Sequence, residues 1–275
     1  IPFSMKHPQN FETPYEEHFV DNIEFNDLGF FEKIRQAPRI VSRVVYSRAV
    51  RDAIARMIEQ EKPDIAHLHM IDHQLSPSLL HALHEHRIPT VQTCHQLKLV
   101  CPSYLFYIAH KNEVCERCIH GDFYHAVLQR CHKKSIAASA LVAAESYIHR
   151  RMKIYDLIDV FHVPSRFHGG KLVEGGYPKH KIWHNFYTIN MDHYPYHPES
   201  SDYFVYYGRL SVEKGLLTLL KAMQQVPEAK LYVIGAGPQR AELQDFAGKM
   251  QLNNVEFLGM QKGDDLISLV QNAKF

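Results

Sequence analysis

Two cations bracket a short glycine-bearing stretch of this chain: Arg209 and Lys214, within Tyr207-Gly208-Arg209-Leu210-Ser211-Val212-Glu213-Lys214-Gly215. The preceding run Tyr203-Phe204-Val205-Tyr206 reads as a buried parallel strand, because β-branched and aromatic residues fit a pleated core. Gly208 lets the backbone turn sharply without a Cβ penalty, and Gly215 opens an apolar helical run from Leu216 to Gln225. A strand, a cationic loop and a helix N-terminus together make an anion-binding corner. Backbone N–H groups, the helix dipole and the side-chain charges all favour the same guest. The expected guest is a nucleoside diphosphate.

A second glycine turn, Gly235-Ala236-Gly237-Pro238, follows a strand and opens a helix, as a phosphate-binding turn does. The dinucleotide fingerprint asks for a third glycine where Arg240 stands, and its acid, matched by Glu256, lies inside a strand rather than at its end. Both departures argue against a nicotinamide enzyme. A tight strand-helix turn without a ligand is the other reading.

His95 stands at the end of the strand Pro89–Cys94, the edge at which open α/β sheets bind ligands. The adjacent Cys94 faces the opposite way, so the two do not form a nucleophile–base pair. His67 and His69, two apart on a strand, present both rings to one side; with His73 they raise a metal-dependent hydrolase as an alternative. No Asp or Glu at ligand spacing joins them. Cys101, Cys115, Cys118 and Cys131 form one C-x-x-C with two distant partners, a set that suits structural zinc. Reduced thiols or a single disulfide are the alternatives.

Stepping along the chain gives the elements that must carry these groups. Ile1–Met5 reads as a short strand, and 6–31 as loop with short helical pieces. Apolar positions from Val41 to Ile58 predict a helix over 38–60, begun by Pro38. Its Arg39, Arg43, Arg48, Arg51 and Arg56 read as a solvated face paired with Asp52 and Glu59, or else as a face for anionic lipid. Strands follow at 64–69 and 89–94, with a helix capped by Ser76 running to His86 between them. After the cysteine insert come a helix over 134–155, a strand over 159–163, a helix capped by Ser165 and a strand over 180–184. The sequence then divides: residues 1–190 form one α/β unit with its first strand missing, 191–202 are a linker containing Pro195 and Pro198, and 203–275 form a second, partial unit. The second unit alternates strands at 203–207, 230–234 and 255–258 with helices, the last capped by Asp264. Three parallel strands leave a sheet edge unfilled, so the chain reads as a piece cut at both ends.

A length of 275 residues accommodates two domains, and 45% hydrophobic with 22% charged residues excludes disorder. A net charge of +1 gives no global field for nucleic acid, and no apolar run reaches the ~20 residues of a membrane helix. Five cysteines, an odd number, point to a reducing cytoplasm.

The motifs of the second unit, with Val255-Glu256-Phe257-Leu258-Gly259, resemble the donor domain of glycosyltransferase family 4. The first unit is similar to that family's N-terminal domain in Asp64-Ile65-Ala66-His67-Leu68-His69, Thr93-Cys94-His95 and His184-Asn185-Phe186. The resemblance implies a GT-B fold, two Rossmann-like domains with parallel sheets facing across a cleft. It implies a retaining glycosyltransferase that moves a sugar from a nucleoside diphosphate sugar to a hydroxyl on a glycan, lipid-linked or polysaccharide precursor. Donor binding falls to Gly208, Arg209, Lys214, Gly235, Gly237, Pro238 and Gly259. Catalysis falls to His95, Arg209 and Lys214. His95 would contact the transferred sugar, although Gln96 stands where the family carries an acid. No catalytic metal is implied, and the expected place is the cytoplasm, with peripheral contact at the inner face of the membrane. A sugar-nucleotide or protein-binding piece without turnover is the alternative, because the family's paired glutamates would lie beyond Phe275.

Overall fold

The computed structural model describes residues 1–8, 10–22, 43–72, 75–189 and 201–275. The chain is α/β with parallel sheets and divides into two compact units, Ile1–Tyr187 and Thr188–Phe275.

In the first unit, helix α1 (Arg48–Glu61) leads into strand β1 (Ala66–His69), then α2 (Leu79–Glu85) and β2 (Thr90–Thr93). The insert follows: the two-residue strands β3 (Tyr107–Ile108) and β4 (Glu113–Val114), then α3 (Tyr124–Leu128). The unit closes with α4 (Ile136–Met152), β5 (Val160–Val163), α5 (Arg166–Glu174) and β6 (Ile182–His184). The order β1-β2-β5-β6 is parallel throughout. Leu68, Phe161 and Val163 bury one sheet face against α1, α2 and α5, in a core with Ile54, Leu80 and Leu172. Val91, Thr93 and His162 belong to the opposite face and align across the register. One polar link reaches the insert's base: Lys98 Nζ donates to Glu145 Oε2 at 2.8 Å, both side chains buried.

Several boundaries differ from the sequence expectation. The helix read over 38–60 is interrupted: 43–45 are helical, 46 and 47 are not, and a second helix begins at Arg48, while 38–42 lie outside the described residues. Ser47 is extended and its Oγ accepts from Val50 N, so it caps a new helix rather than continuing one. Its arginines do not form one solvated face: Arg43 is buried and donates to the Asp21 carbonyl, while Arg51 pairs with Glu85 rather than Asp52 or Glu59. Ser76 lies in the left-handed region, so its helix starts only at Leu79. Residues 1–5 form no strand beyond a single Met5–Val20 bridge, and Pro2 lacks the N–H a ladder needs. Ser135 and left-handed Lys153 trim the 134–155 helix to Ile136–Met152.

The second unit runs β7 (Tyr203–Tyr207), α6 (Leu216–Met223), β8 (Lys230–Ile234), α7 (Arg240–Lys249), β9 (Val255–Gly259) and α8 (Gly263–Gln271). Its sheet is parallel in the order β7-β8-β9, over a core of Leu210, Leu216, Leu220, Leu231, Val233 and Leu243. Asp264 is not the cap of α8: Lys262 occupies the N-cap position without a side-chain capping bond, and Asp264 sits within the first turn, where a carboxylate suits the dipole. The outer edge of β7 is not bare: Lys274 N donates to Tyr203 O and Val205 N to Phe275 O, each at 2.8 Å. Of the expected linker, 191–200 lie outside the described residues.

Candidate functional site

Each of the three strands of the second unit ends at a glycine, with a register shift between β8 and β9. Gly208 follows β7, Gly235 follows β8 and Gly259 closes β9, with φ of +152°, +135° and +75°. Gly208 N donates to Ile234 O at 3.0 Å and Gly235 N to Gly259 O at 2.7 Å, so the ladder runs on into the loops. Leu210 N donates to Ala236 O at 2.9 Å, and Gln239 N returns a bond to Leu210 O at 3.0 Å. The Arg209 loop and the Gly235–Gly237 turn are therefore stitched together. A Cβ on Gly237 would lie 2.2 Å from Leu210 O, so backbone contact alone demands glycine there. Pro238 is exposed beside this turn.

Past the stitching, Leu210 and Ser211 are buried while Arg209 and Lys214 are exposed. Among the described residues neither cation is held in an ion pair within 4.0 Å. Tyr206 donates its hydroxyl hydrogen to Arg209 O at 3.0 Å, which pins the loop from below. Glu213 lies between the cations. Partial burial raises its carboxyl, but the Ser211 hydroxyl, its own backbone amide, Arg209 and Lys214 outweigh that and hold it below the usual range. Gly215, at φ +69°, then opens α6. Two exposed cations beside a helix N-terminus can take a dianionic guest.

The first unit gathers four of its histidines, His67, His69, His95 and His162, towards the C-terminal end of its sheet. His95 Nε2 is hydrogen-bonded to His69 Nδ1 at 2.8 Å, and its Nδ1 to the Tyr187 hydroxyl at 2.8 Å. The His67 and His69 ring centroids lie 4.2 Å apart with the planes tilted by 46°, on one side as their spacing predicts. His67 Nε2 meets Thr93 Oγ1 at 2.7 Å; that oxygen also meets His162 Nδ1 at 3.0 Å. Partial burial, then the neighbouring imidazoles, lowers His69 and His95 below the ordinary histidine range. Sequence reasoning singled out His95, His67 and His69 but missed Tyr187, Thr93 and His162. For Thr93 and His162 the signal was present, since they pair across neighbouring strands of a parallel sheet; Tyr187 lies past the end of β6. The alternative based on a metal hydrolase gains no geometry. His73 lies outside the described residues, and among those described no three His, Cys, Asp or Glu side chains stand in chelating positions.

Cys94 points into the core, and burial pushes its thiol up to about 12. The other four cysteines come together. Cys101, Cys115, Cys118 and Cys131 line one small cavity in the insert, all unbridged. Burial, followed by the proximity of Cys101, Cys115 and Cys131, pushes the Cys118 thiol up to about 12.

Residues 194–275 match the family described as glycosyl transferases group 1. D-rhamnosyltransferase WbpZ of Pseudomonas aeruginosa is 38% identical over 69 residues, 25% of this chain and 18% of that protein. Uncharacterized glycosyltransferase MJ1059 of Methanocaldococcus jannaschii is 41% identical over 64 residues, 22% of this chain and 16% of that protein. The fold is shared with Anabaena Alr3699/HepE, solved in complex with UDP: TM-score 0.52 at 16% identity, over 81% of this chain and 55% of that one. Its complex with UDP and glucose gives 0.51 at 15%, over 94% and 61%. The matched stretches thus span under a fifth of the two curated relatives and little more than half of the solved structure. The second unit is similar to the glycosyl transferases group 1, and the chain as a whole has the α/β fold of HepE.

Proposed function

We propose that this protein is a retaining GT-B glycosyltransferase of family 4, moving a sugar from a nucleoside diphosphate sugar to a hydroxyl acceptor. The observation that carries the reading is the corner at Gly208–Gly215, where stitched glycine loops hold two exposed cations, in no ion pair within 4.0 Å among the described residues, beside the start of α6. Negative charge grows on the diphosphate as the glycosidic bond breaks. Cations fixed beforehand therefore favour the transition state over the bound donor. Arg209 and Lys214 take the part a divalent cation plays elsewhere, so no catalytic metal is required. Gly208, Gly235, Gly237, Pro238 and Gly259 shape the backbone around the donor.

His95 is the group offered to the transferred sugar. A neutral imidazole suits orientation by hydrogen bonding better than charge stabilisation, and the lowered value at His95 favours the neutral form. The acceptor is a glycan or lipid-linked precursor of a polysaccharide, reached in the cytoplasm at the inner face of the membrane. The D-rhamnosyl transfer named for WbpZ supports a sugar-transfer role. Calorimetric titration of the full-length protein with UDP, GDP and dTDP sugars tests the reading. At least one is expected to bind without added divalent cation; failure of all of them overturns it.

A further inference from the structure

Four of the five cysteines sit within one insert of some thirty residues, and the sugar-transfer reading uses none of them. Their spacing is C-x13-C-x2-C-x12-C, and the fold brings all four to the wall of a single cavity. Each is presented by a different short piece of backbone. Cys115 N donates to Phe106 O at 2.9 Å, which holds it just past β4. Across the C-x-x-C, Ile119 N donates to Glu116 O at 3.1 Å, and Gly121 N donates to Cys118 O at 2.9 Å just beyond it. Cys131 N donates to Ala126 O at 3.0 Å, which returns the chain to the cavity after α3.

Part of the insert is anchored in the first unit's core through Cys101, Phe106 and Ile119, but the stretch that carries the other cysteines has little of its own to define its shape. Its strands are two residues each, its helix five, and its apolar cluster is only Cys118, Phe123, Ala126 and Ala143 with Val127 and Cys131 at its margin. A segment of that size without a core of its own generally needs a covalent or metal cross-link. None of the cysteines is in a disulfide.

We propose that Cys101, Cys115, Cys118 and Cys131 bind one structural zinc ion that pins the insert. As placed, the thiols line the cavity rather than meeting at a point, and no three metal-binding side chains among the described residues stand in chelating positions. Binding draws the sulfurs inward to a tetrahedral ion at ~2.3 Å. Four S–H groups give their protons to solvent as four Zn–S bonds form, and no electron moves. The site then carries two net negative charges, and Lys111 and Arg117, the cations whose fields reach Cys131, lie where they offset them.

The test is a metal count on full-length protein purified under reducing conditions without chelator. About one zinc per chain is expected, released stoichiometrically by an organomercurial. Cys118→Ser is expected to lower the content at least tenfold, whereas Cys94→Ser keeps it. If Cys118→Ser does not fold, the wild-type count and the mercurial release decide. Wild-type protein without zinc, which also fails to take up zinc when reduced, overturns the proposal, whether its thiols are then free, disulfide-bonded or holding iron. Zinc retained in Cys118→Ser overturns it equally.

Discussion

A Cβ placed on Gly235 would lie 1.9 Å from the carbonyl oxygen of Gly208. No side chain fits in that gap, so the second glycine turn exists to let the first loop close against it. Gly235→Ala must push the Arg209 loop away and also hold a strained backbone at φ +135°. The expected cost is about 2–4 kcal/mol of unfolding free energy, with nucleotide affinity falling in whatever fraction remains folded. Urea denaturation checks this; a variant as stable as the wild type contradicts the stitching.

The buried pair Lys98–Glu145 predicts an asymmetric response. Lys98→Met leaves a carboxylate in the core without its cation and should cost about 3–5 kcal/mol. Replacing both, as Lys98→Met with Glu145→Leu, should recover most of the loss, because two apolar groups need no partner. Stability measured across the double-mutant cycle separates the two cases.

Much of the architecture was legible because strand and helix periods differ so clearly here. The Ser165 cap, β7, β8 and the two-unit alternation all follow from local pattern. Ser47 and Ser76 were not, because their roles depend on each other: Ser47 N donates to Ser76 Oγ across 29 residues of chain. Arg51 likewise chose Glu85 over its own helix neighbours because α2 brings Glu85 to it from outside. At the site, the glycines and cations could be read as types, but the stitching that makes Gly235 and Gly237 obligatory is visible only in space. Tyr187 escaped for the same reason.

His69 and His95 predict acid sensitivity. Both are held below the ordinary imidazole value of about 6.5. Between their folded values and that value the unfolded chain binds more protons than the folded one. Their contribution to stability is therefore complete above about pH 6.5 and is lost as pH falls through the folded values. Urea midpoints taken from pH 7.5 down to 5 should decline, and less steeply in His69→Gln. A flat profile contradicts the assignment.

Tyr187→Phe removes the hydroxyl that meets His95 Nδ1. A neutral hydrogen bond of this kind is worth about 1 kcal/mol, so a loss of roughly fivefold in turnover is expected with little change in donor KM. The imidazole nitrogen shifts of His95, followed by NMR, should move with it. Unchanged shifts would show that Tyr187 does not hold the ring.

The most direct test of the sugar-transfer account is turnover of Arg209→Ala and Lys214→Ala in the full-length protein, with whichever donor binds. If the two cations stabilise the departing diphosphate, each substitution lowers turnover about 100- to 1,000-fold while leaving the folded state intact by circular dichroism. Near-normal turnover in either variant contradicts the account.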